Sequence, residues 1–351
     1  VNQLIKTLKI GAVELKNNLA LAPMAGITNA AFRSLCIEGG AGLVVSEMVS
    51  AESIRYGNKK SLKLLEIYPS EHPIAMQLFG ADPESMASAA GLAAELGADI
   101  IDINAGCPVK KVLRSGSGAA LMKEPSILEA IVRKTVKAVK IPVTVKIRCG
   151  LTSGEVISPR LARVIEGAGA SAITLHGRAA SNFHTGPVDY DAMASTAAAV
   201  KIPVFGNGGV RTACDALKVL GTGCAGVAVG RAAVENPSVF LEIAQGLRCS
   251  TGTANPDAER SAAELNGGAA GPPRRIRSFI RFLELNTILY GGDEGVVRAR
   301  KLVGYWLKGF PNSSALRGDF MKAAGLNEAK ALLLQYMEKQ DSAARTGPPV
   351  S

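Results

Sequence analysis

The sequence predicts a (β/α)8 barrel followed by a small C-terminal all-α domain, and three observations predict it. Eight short apolar, β-rich segments recur between residues 19 and 229, and stretches with helical spacing separate them. A segment rich in Gly, Ala, Ser and Pro then precedes a tail with helical spacing and few strand formers. At 351 residues the chain can hold one large barrel with an appendage.

In chain order the strands are expected at Leu19 to Ala22, Leu43 to Ser46, Ile74 to Phe79, Ile100 to Asn104, Val143 to Ile147, Ala172 to His176, Val204 to Gly206 and Gly226 to Val229. Helical spacing fills the gaps, as over Pro83 to Leu96 and Pro125 to Val139, with Pro or Asp at the start and Gly or Pro near the end. A doubly wound open sheet is the competing architecture. It usually has fewer strands and a glycine fingerprint after the first, and no GxGxxG follows Leu21. The stretch Asp99 to Lys111, DIIDINAGCPVKK, shows the logic most clearly. Ile100, Ile101 and Ile103 read as a buried strand, and Asn104 and Cys107 fall on the turn that ends it. Gly106 permits a sharp bend and Pro108 stiffens the exit, so the Cys107 thiol is expected outward at the strand's C-terminal lip, where barrels carry their chemistry.

The expected organisation is a barrel over 1–248, a linker over 249–273, a helical domain over 274–345 and a disordered tail over 346–351. Helical spacing in the tail covers Arg274 to Tyr290, Gly295 to Lys308 and Asn327 to Gln340. The apolar fraction is 47% and the charged fraction 20%, and no run of about 18 apolar residues offers a membrane span. No signal peptide is visible at the N-terminus, and six scattered cysteines suit reduced thiols in a cytoplasm better than disulfides or a structural zinc site. No obligate protein partner is evident. Of the net charge of +10, about +6 lies from Arg274 onward, where 13 Lys and Arg face 7 Asp and Glu. A basic appendage on a less charged body points to a polyanionic partner, with a solvated helical surface as the alternative.

With a barrel in place, polar residues converge at the strand ends: Pro23, Met24 and Ala25 after strand one, then Gln77, Asn104 with Cys107, Lys146 with Arg148, His176 with Arg178, and Asn207. Polar groups in apolar strands cost several kcal/mol if left unpaired, so a ring of them implies a polar ligand. FGNGGV (Phe205 to Val210) and VAVGRAA (Val227 to Ala233) place glycine-rich turns and Arg231 after strands seven and eight, the usual barrel phosphate site; Gly209 and Gly230 would equally serve tight turns. Lys146 could stabilise a developing anion or form a Schiff base. His176 is read as a ligand contact rather than a core histidine. Cys107 could be a nucleophile, a proton donor or a buried structural thiol. No metal site or Ser-His-Asp triad is evident.

These same residues carry a family resemblance. LAPMAGITNAAFR (Leu21 to Arg33), VSEMVS (Val45 to Ser50), MQLFG (Met76 to Gly80), DINAGCPVKK, VKIR (Val145 to Arg148), LHGR (Leu175 to Arg178), GNGG and VGRAA occur in the order seen in the flavin-dependent tRNA-dihydrouridine synthases, and the chain is most similar to their bacterial B-type branch. RARKLVGYWLKG (Arg298 to Gly309) resembles the helical tRNA-binding domain of that family. The resemblance implies FMN at the barrel mouth, held by Pro23, Met24, Ala25, Gln77, Lys146, His176, Asn207, Gly208, Gly209, Gly230 and Arg231. It implies that Cys107 is the catalytic cysteine and that Asn104 faces the uracil. Two departures stand out. The NGD of the family is NGG here, so Gly209 offers a backbone N–H but no carboxylate; Ala105 and the lysine-free RSGSGAALM (Arg114 to Met122) also differ from the family pattern.

The implied reaction begins with reduction of FMN by NADPH or NADH, Lys146 stabilising the negative charge on the reduced flavin. Hydride then passes to carbon 6 of a tRNA uracil while Cys107 gives a proton to carbon 5 from the opposite face, which requires the base to leave its stack. Arg298, Arg300, Lys301 and Lys308, with Arg178 at the mouth, would contact the tRNA. The rival readings are a flavin barrel oxidoreductase acting on a free pyrimidine and a catalytically silent RNA-binding barrel protein.

Overall fold

The computed structural model describes residues 4–250 and 272–345. A short antiparallel hairpin, β1 (Leu8–Ile10) and β2 (Val13–Leu15), precedes the barrel. The barrel strands are β3 (Leu19–Leu21), β4 (Val44–Val45), β5 (Val49–Ser50), β6 (Ile74–Phe79), β7 (Ile100–Asn104), β8 (Val143–Arg148), β9 (Ala172–His176), β10 (Val204–Asn207) and β11 (Gly226–Val229). They are parallel in the order β3-β11-β10-β9-β8-β7-β6-β4, with β5 also paired to β6, and a bridge between Ala20 and Leu43 joins the two ends. The second expected strand, Leu43 to Ser46, is thus shortened to Val44–Val45, and β5 resumes the pairing with β6 beyond it. Between β4 and β5 the Ser46 side chain accepts the Gln77 N–H at 2.8 Å, standing in for a ladder bond.

Closure sorts side chains by parity. Ile101 and Ile103 pack outward under the helices, whereas Ile100, Ala20, Ala22, Ala75, Ala172, Phe205 and Ala228 fill a separate inner cluster. Ile10 and Leu15 of the hairpin belong to that inner cluster and plug the N-terminal end. So many alanines leave a cavity of about 20 Å³ beneath the mouth, lined in part by Asp102, Thr144 and Thr174, room for about one water. The flanking helices start as their sequence dictates: Asp82 caps Pro83–Glu95 by accepting the Ser85 N–H at 3.0 Å.

The C-terminal region forms four helices, Pro272–Tyr290, Gly292–Trp306, Ser313–Phe320 and Leu326–Arg345, one more than the spacing predicts. Phe279 lies 5.4 Å from Trp306 and 5.2 Å from Phe320 between ring centroids, and these rings form the domain's core. Phe282 meets Phe32 of the barrel edge-on at 6.2 Å, and Arg281 pairs with Glu38 at 2.6 Å. The expected linker begins inside a helix, Val239–Ser250, and ends inside the next; its remainder, like the 346–351 tail, lies outside the described residues. Among the described residues no helix is long and apolar enough to cross a membrane.

Behind the docking surface, the Arg33 guanidinium pairs with Glu71 in the interior, Arg33 also donates to the Thr28 carbonyl at 2.7 Å, and Glu71 accepts the Tyr68 N–H at 2.9 Å. Removing one partner strands the other charge, at a cost of about 3–5 kcal/mol. Glu71→Ala should therefore lower unfolding stability in urea by about 3 kcal/mol. An unchanged midpoint would contradict this.

Candidate active site

Strand parity builds the site. Gln77 sits beside Asp102 in register, Asp102 beside Thr144, Asn104 beside Lys146, Arg148 beside His176, and His176 beside Asn207. Asn104, Arg148, His176 and Asn207 end their strands, Asp102 and Thr144 lie a layer below, and all but Lys146 are buried below a tenth exposure. Their polar atoms are paired. Asp102 accepts from Gln77 Nε2 and Thr144 Oγ1, both at 2.6 Å. Gln77 Oε1 accepts from Asn104 Nδ2 at 2.9 Å, and Asn104 Oδ1 accepts the N–H groups of Gly106 at 3.2 Å and Cys107 at 2.9 Å. On the other side Lys146 Nζ donates to Asn207 Oδ1 at 3.2 Å, and Asn207 Nδ2 donates to the Ala228 carbonyl at 2.8 Å.

The turn bearing Cys107 is pinned from several directions. Arg148 Nε donates to the Gly106 carbonyl at 2.8 Å, and the Ala119 N–H donates to the Cys107 carbonyl at 3.0 Å. Gly118, at φ +63°, approaches so closely that a Cβ there would lie 2.6 Å from the Cys107 carbonyl oxygen; only glycine fits. Cys107 is half-buried, and burial pushes its thiol above the ordinary range, partly offset by a backbone hydrogen bond at Val109 and by Arg148 and Lys146. The thiol therefore keeps its proton at neutral pH. Lys146 is pushed down to about 8 by burial first and Arg148 second, with Asp102 and Cys107 opposing. It stays mostly charged below that pH.

The opposite wall is cationic. Burial, then Lys146, Arg148, Arg178 and His184, hold His176 neutral, and burial, then Arg148, Arg231, Lys146 and Arg178, lower His184. The two imidazoles stack at 5.9 Å. Arg231 donates to the His184 carbonyl at 3.3 Å, and Arg178 Nε donates to that of Gly186 at 2.9 Å. Four cations within electrostatic reach of two neutral rings favour an anionic ligand. Gly208 has φ +125° and a Cβ there would sit 3.0 Å from His176, so a side chain would crowd this wall. A Cβ at Gly230 would lie 3.9 Å from Ala22 Cβ and Met24 Sδ, which sets the turn after β3 beside the turn after β11.

The structure thus gathers Met24, Gln77, Asn104, Cys107, Lys146, His176, Arg178, Asn207, Gly208, Gly230 and Arg231 around one mouth. Pro23 is half-buried there and Ala25 and Gly209 are exposed. The four cations of the helical domain differ among themselves. Arg298 pairs with Glu294 at 2.6 Å and covers the Tyr290 ring at 4.1 Å; Arg300 donates to the Ala323 carbonyl at 2.9 Å. Lys301 and Lys308 are exposed. Asp102, Thr144 and His184 are the residues sequence reasoning missed. Counting back two from Asn104 and from Lys146 would have found the first two, because parity makes them face inward as well. Among the described residues no cluster of His, Cys, Asp and Glu could hold a metal.

Because alkylation needs the thiolate, the Cys107 peptide should react with iodoacetamide with a midpoint above the ordinary thiol range, followed by mass spectrometry across pH. A midpoint at or below neutrality would contradict the protonated state.

Comparison with known proteins gives the chain's family and its fold relatives. The family model described as dihydrouridine synthase (Dus) matches residues 20–342. The tRNA-dihydrouridine synthase B of Pseudomonas aeruginosa is 36% identical over 96% of this chain and 98% of that protein. A probable tRNA-dihydrouridine synthase of Rickettsia conorii is 39% identical over 89% of this chain and 90% of its own length. Among solved structures, a variant of NCR from Zymomonas mobilis superposes with a TM-score of 0.51 at 17% identity, covering 69% of this chain and 92% of that one, and shares the fold. TcOYE with pHBA does so with a TM-score of 0.52 at 14% identity, over 72% and 94%. The chain belongs to the dihydrouridine synthase family.

Proposed function

We propose that this protein reduces the carbon 5–carbon 6 double bond of uridines in tRNA to dihydrouridine, with FMN held at the barrel mouth, NADPH or NADH as reductant and Cys107 as proton donor. Family membership and the names of the relatives support the reaction class, an oxidoreductase acting on CH–CH bonds. The observation that carries the residue roles is the placement at one mouth of a half-buried thiol, on the turn after β7, and a half-buried ammonium on the neighbouring β8.

The residues present fit a flavin phosphate. Gly208, Gly209, Gly230 and Arg231 would hold the phosphate, in the field of Arg178 and Arg148. Pro23, Met24, Ala25, Gln77, Lys146, His176 and Asn207 would hold the rest. Bound there, the flavin supplies the hydride that reaches carbon 6. Lys146 presents a positive charge whose amine is anchored on Asn207, so it opposes negative charge on the ring without reorganising. His176, held neutral, can hydrogen-bond without adding charge. The Cys107 S–H bond breaks as its proton passes to carbon 5, and the thiolate regains a proton from solvent at the half-open turn. The Asn104 side chain is already used on Gln77 and on the Cys107 turn, so in this reading it shapes the turn as well as facing the base.

For tRNA, the exposed Lys301 and Lys308 on the helical domain are placed to meet phosphates, while Arg178, buried and bonded to the Gly186 carbonyl, would add its charge from within the mouth. Arg298 and Arg300 add to the field from positions fixed within the domain.

Two outcomes test this. Cys107→Ala should keep the bound flavin's absorbance while uridine reduction falls by about 100-fold or more, the usual weight of a positioned acid. Undiminished turnover would remove the proton-donor role. Lys301→Ala and Lys308→Ala should each weaken tRNA binding and flatten the log–log salt slope by about 0.7 to 0.9, the change expected per lost phosphate contact. A slope unchanged in both variants would place the tRNA elsewhere.

A further inference from the structure

We propose that Asp102 is a positioning residue for Cys107, acting through a hydrogen-bond relay whose direction only an accepting group at position 102 allows. The relay has obligate ends and reversible middles. At one end stand the Gly106 and Cys107 N–H groups, which can only donate; at the other stands the Asp102 carboxylate, which when ionised can only accept. Between them lie the amides of Asn104 and Gln77, each able to turn either way.

With donors at the turn, Asn104 must aim Oδ1 at them, at 2.9 Å for Cys107 and 3.2 Å for Gly106. Its Nδ2 then faces Gln77, whose Oε1 accepts at 2.9 Å. Gln77 Nε2 must in turn face a group that accepts, and Asp102 Oδ2 does so at 2.6 Å. The other oxygen takes the Thr144 hydroxyl at 2.6 Å, which fixes the carboxylate's rotation. The side chains of Gln77, Asp102, Asn104 and Thr144 are buried, so an unmatched donor has at most the one-water cavity beside Asp102 and Thr144 to turn to. Without an acceptor at 102, Gln77 Nε2 loses the group that anchors it, and nothing then fixes which way the Gln77 amide faces. Its Oε1 no longer holds Asn104 in one orientation, and the slack passes to the turn that carries the thiol.

Asp102 touches neither Cys107 nor the mouth. Its consequence for turnover rests on the proposed proton-donor role of Cys107, but the relay itself can be read on the thiol with no flavin bound. In the flavin-free full chain, Asp102→Ala should raise the iodoacetamide rate at the Cys107 peptide about fivefold or more, because the released turn opens more often. Asp102→Asn should return it to within about twofold of the parent: its carbonyl can still accept from Gln77 while its amide donates to the Thr144 hydroxyl. Both variants lose the charge, so the difference between them reports the relay rather than the electrostatics. Gln77→Leu, which cuts the relay in the middle, should behave like Asp102→Ala and serves if the latter does not fold. In the flavin-loaded enzyme, uridine reduction should fall about tenfold in Asp102→Ala and recover in Asp102→Asn.

An alkylation rate unmoved in Asp102→Ala, or the same in the Ala and Asn variants, would overturn the relay. If alkylation follows the predicted pattern while no variant and not the parent makes dihydrouridine, the relay stands and the proposed function fails. If dihydrouridine forms normally while alkylation is unmoved, the proposed function stands and the relay fails.

Discussion

The constraint on which the structure depends is closure of a parallel sheet with a side-chain period of two. Once the Ala20–Leu43 bridge joins β3 to the segment leading into β4, every second residue of each strand faces a space that neighbouring strands share. Low in that space the chain places alanines and the hairpin's Ile10 and Leu15. High in it, the same parity forces Gln77, Asp102, Asn104, Lys146, His176 and Asn207 into one ring. Polar groups in such a space are costly, and the chain meets the cost by pairing them with each other and by opening the mouth to a ligand.

That ring divides into two halves with different chemistry. On β6 to β8 a carboxylate, two amides and a threonine hydroxyl form a closed network that ends on the Cys107 turn. Toward β9, β10 and the turn after β11, cations surround two neutral imidazoles and glycine turns. Lys146 stands between the halves, its pKa pushed down to about 8 by burial and Arg148 against the opposing pull of Asp102. In the proposed reading one side holds the proton-donating turn and the other draws the anionic ligand, the division of labour a hydride-and-proton addition needs.

Much of the fold was legible because its signals are redundant. β7 carries three isoleucines between turn residues, and Asp82 and Pro83 mark a helix start by both side-chain capping and fixed φ. The unread parts are those where local signal is weak. β1 and β2 are three residues each, too short for periodicity; β4 and β5 are separated because Ser46 bonds the Gln77 amide with its side chain, which no pattern of apolar residues encodes. The helix Ser313–Phe320 holds a glycine and lies between better-marked helices. In the site, residues at motif positions were legible, whereas Asp102 and Thr144 look like strand filler until parity is counted inward from Asn104 and Lys146. Arg300 reads as a free cation in sequence, and only tertiary packing turns it onto the Ala323 carbonyl.

The central claim is that one barrel mouth presents a flavin and the Cys107 thiol to a single uracil. It is tested most directly by incubating the full chain with FMN, NADPH and an unmodified tRNA transcript, then sequencing the digest by mass spectrometry. The account predicts that a defined uridine gains two hydrogens. In a single turnover faster than exchange at the reduced flavin's N5, deuterium should appear at carbon 5 from heavy water and at carbon 6 from deuterated flavin. An unchanged transcript with bound, reducible flavin, or label delivered to the opposite carbons, would contradict it.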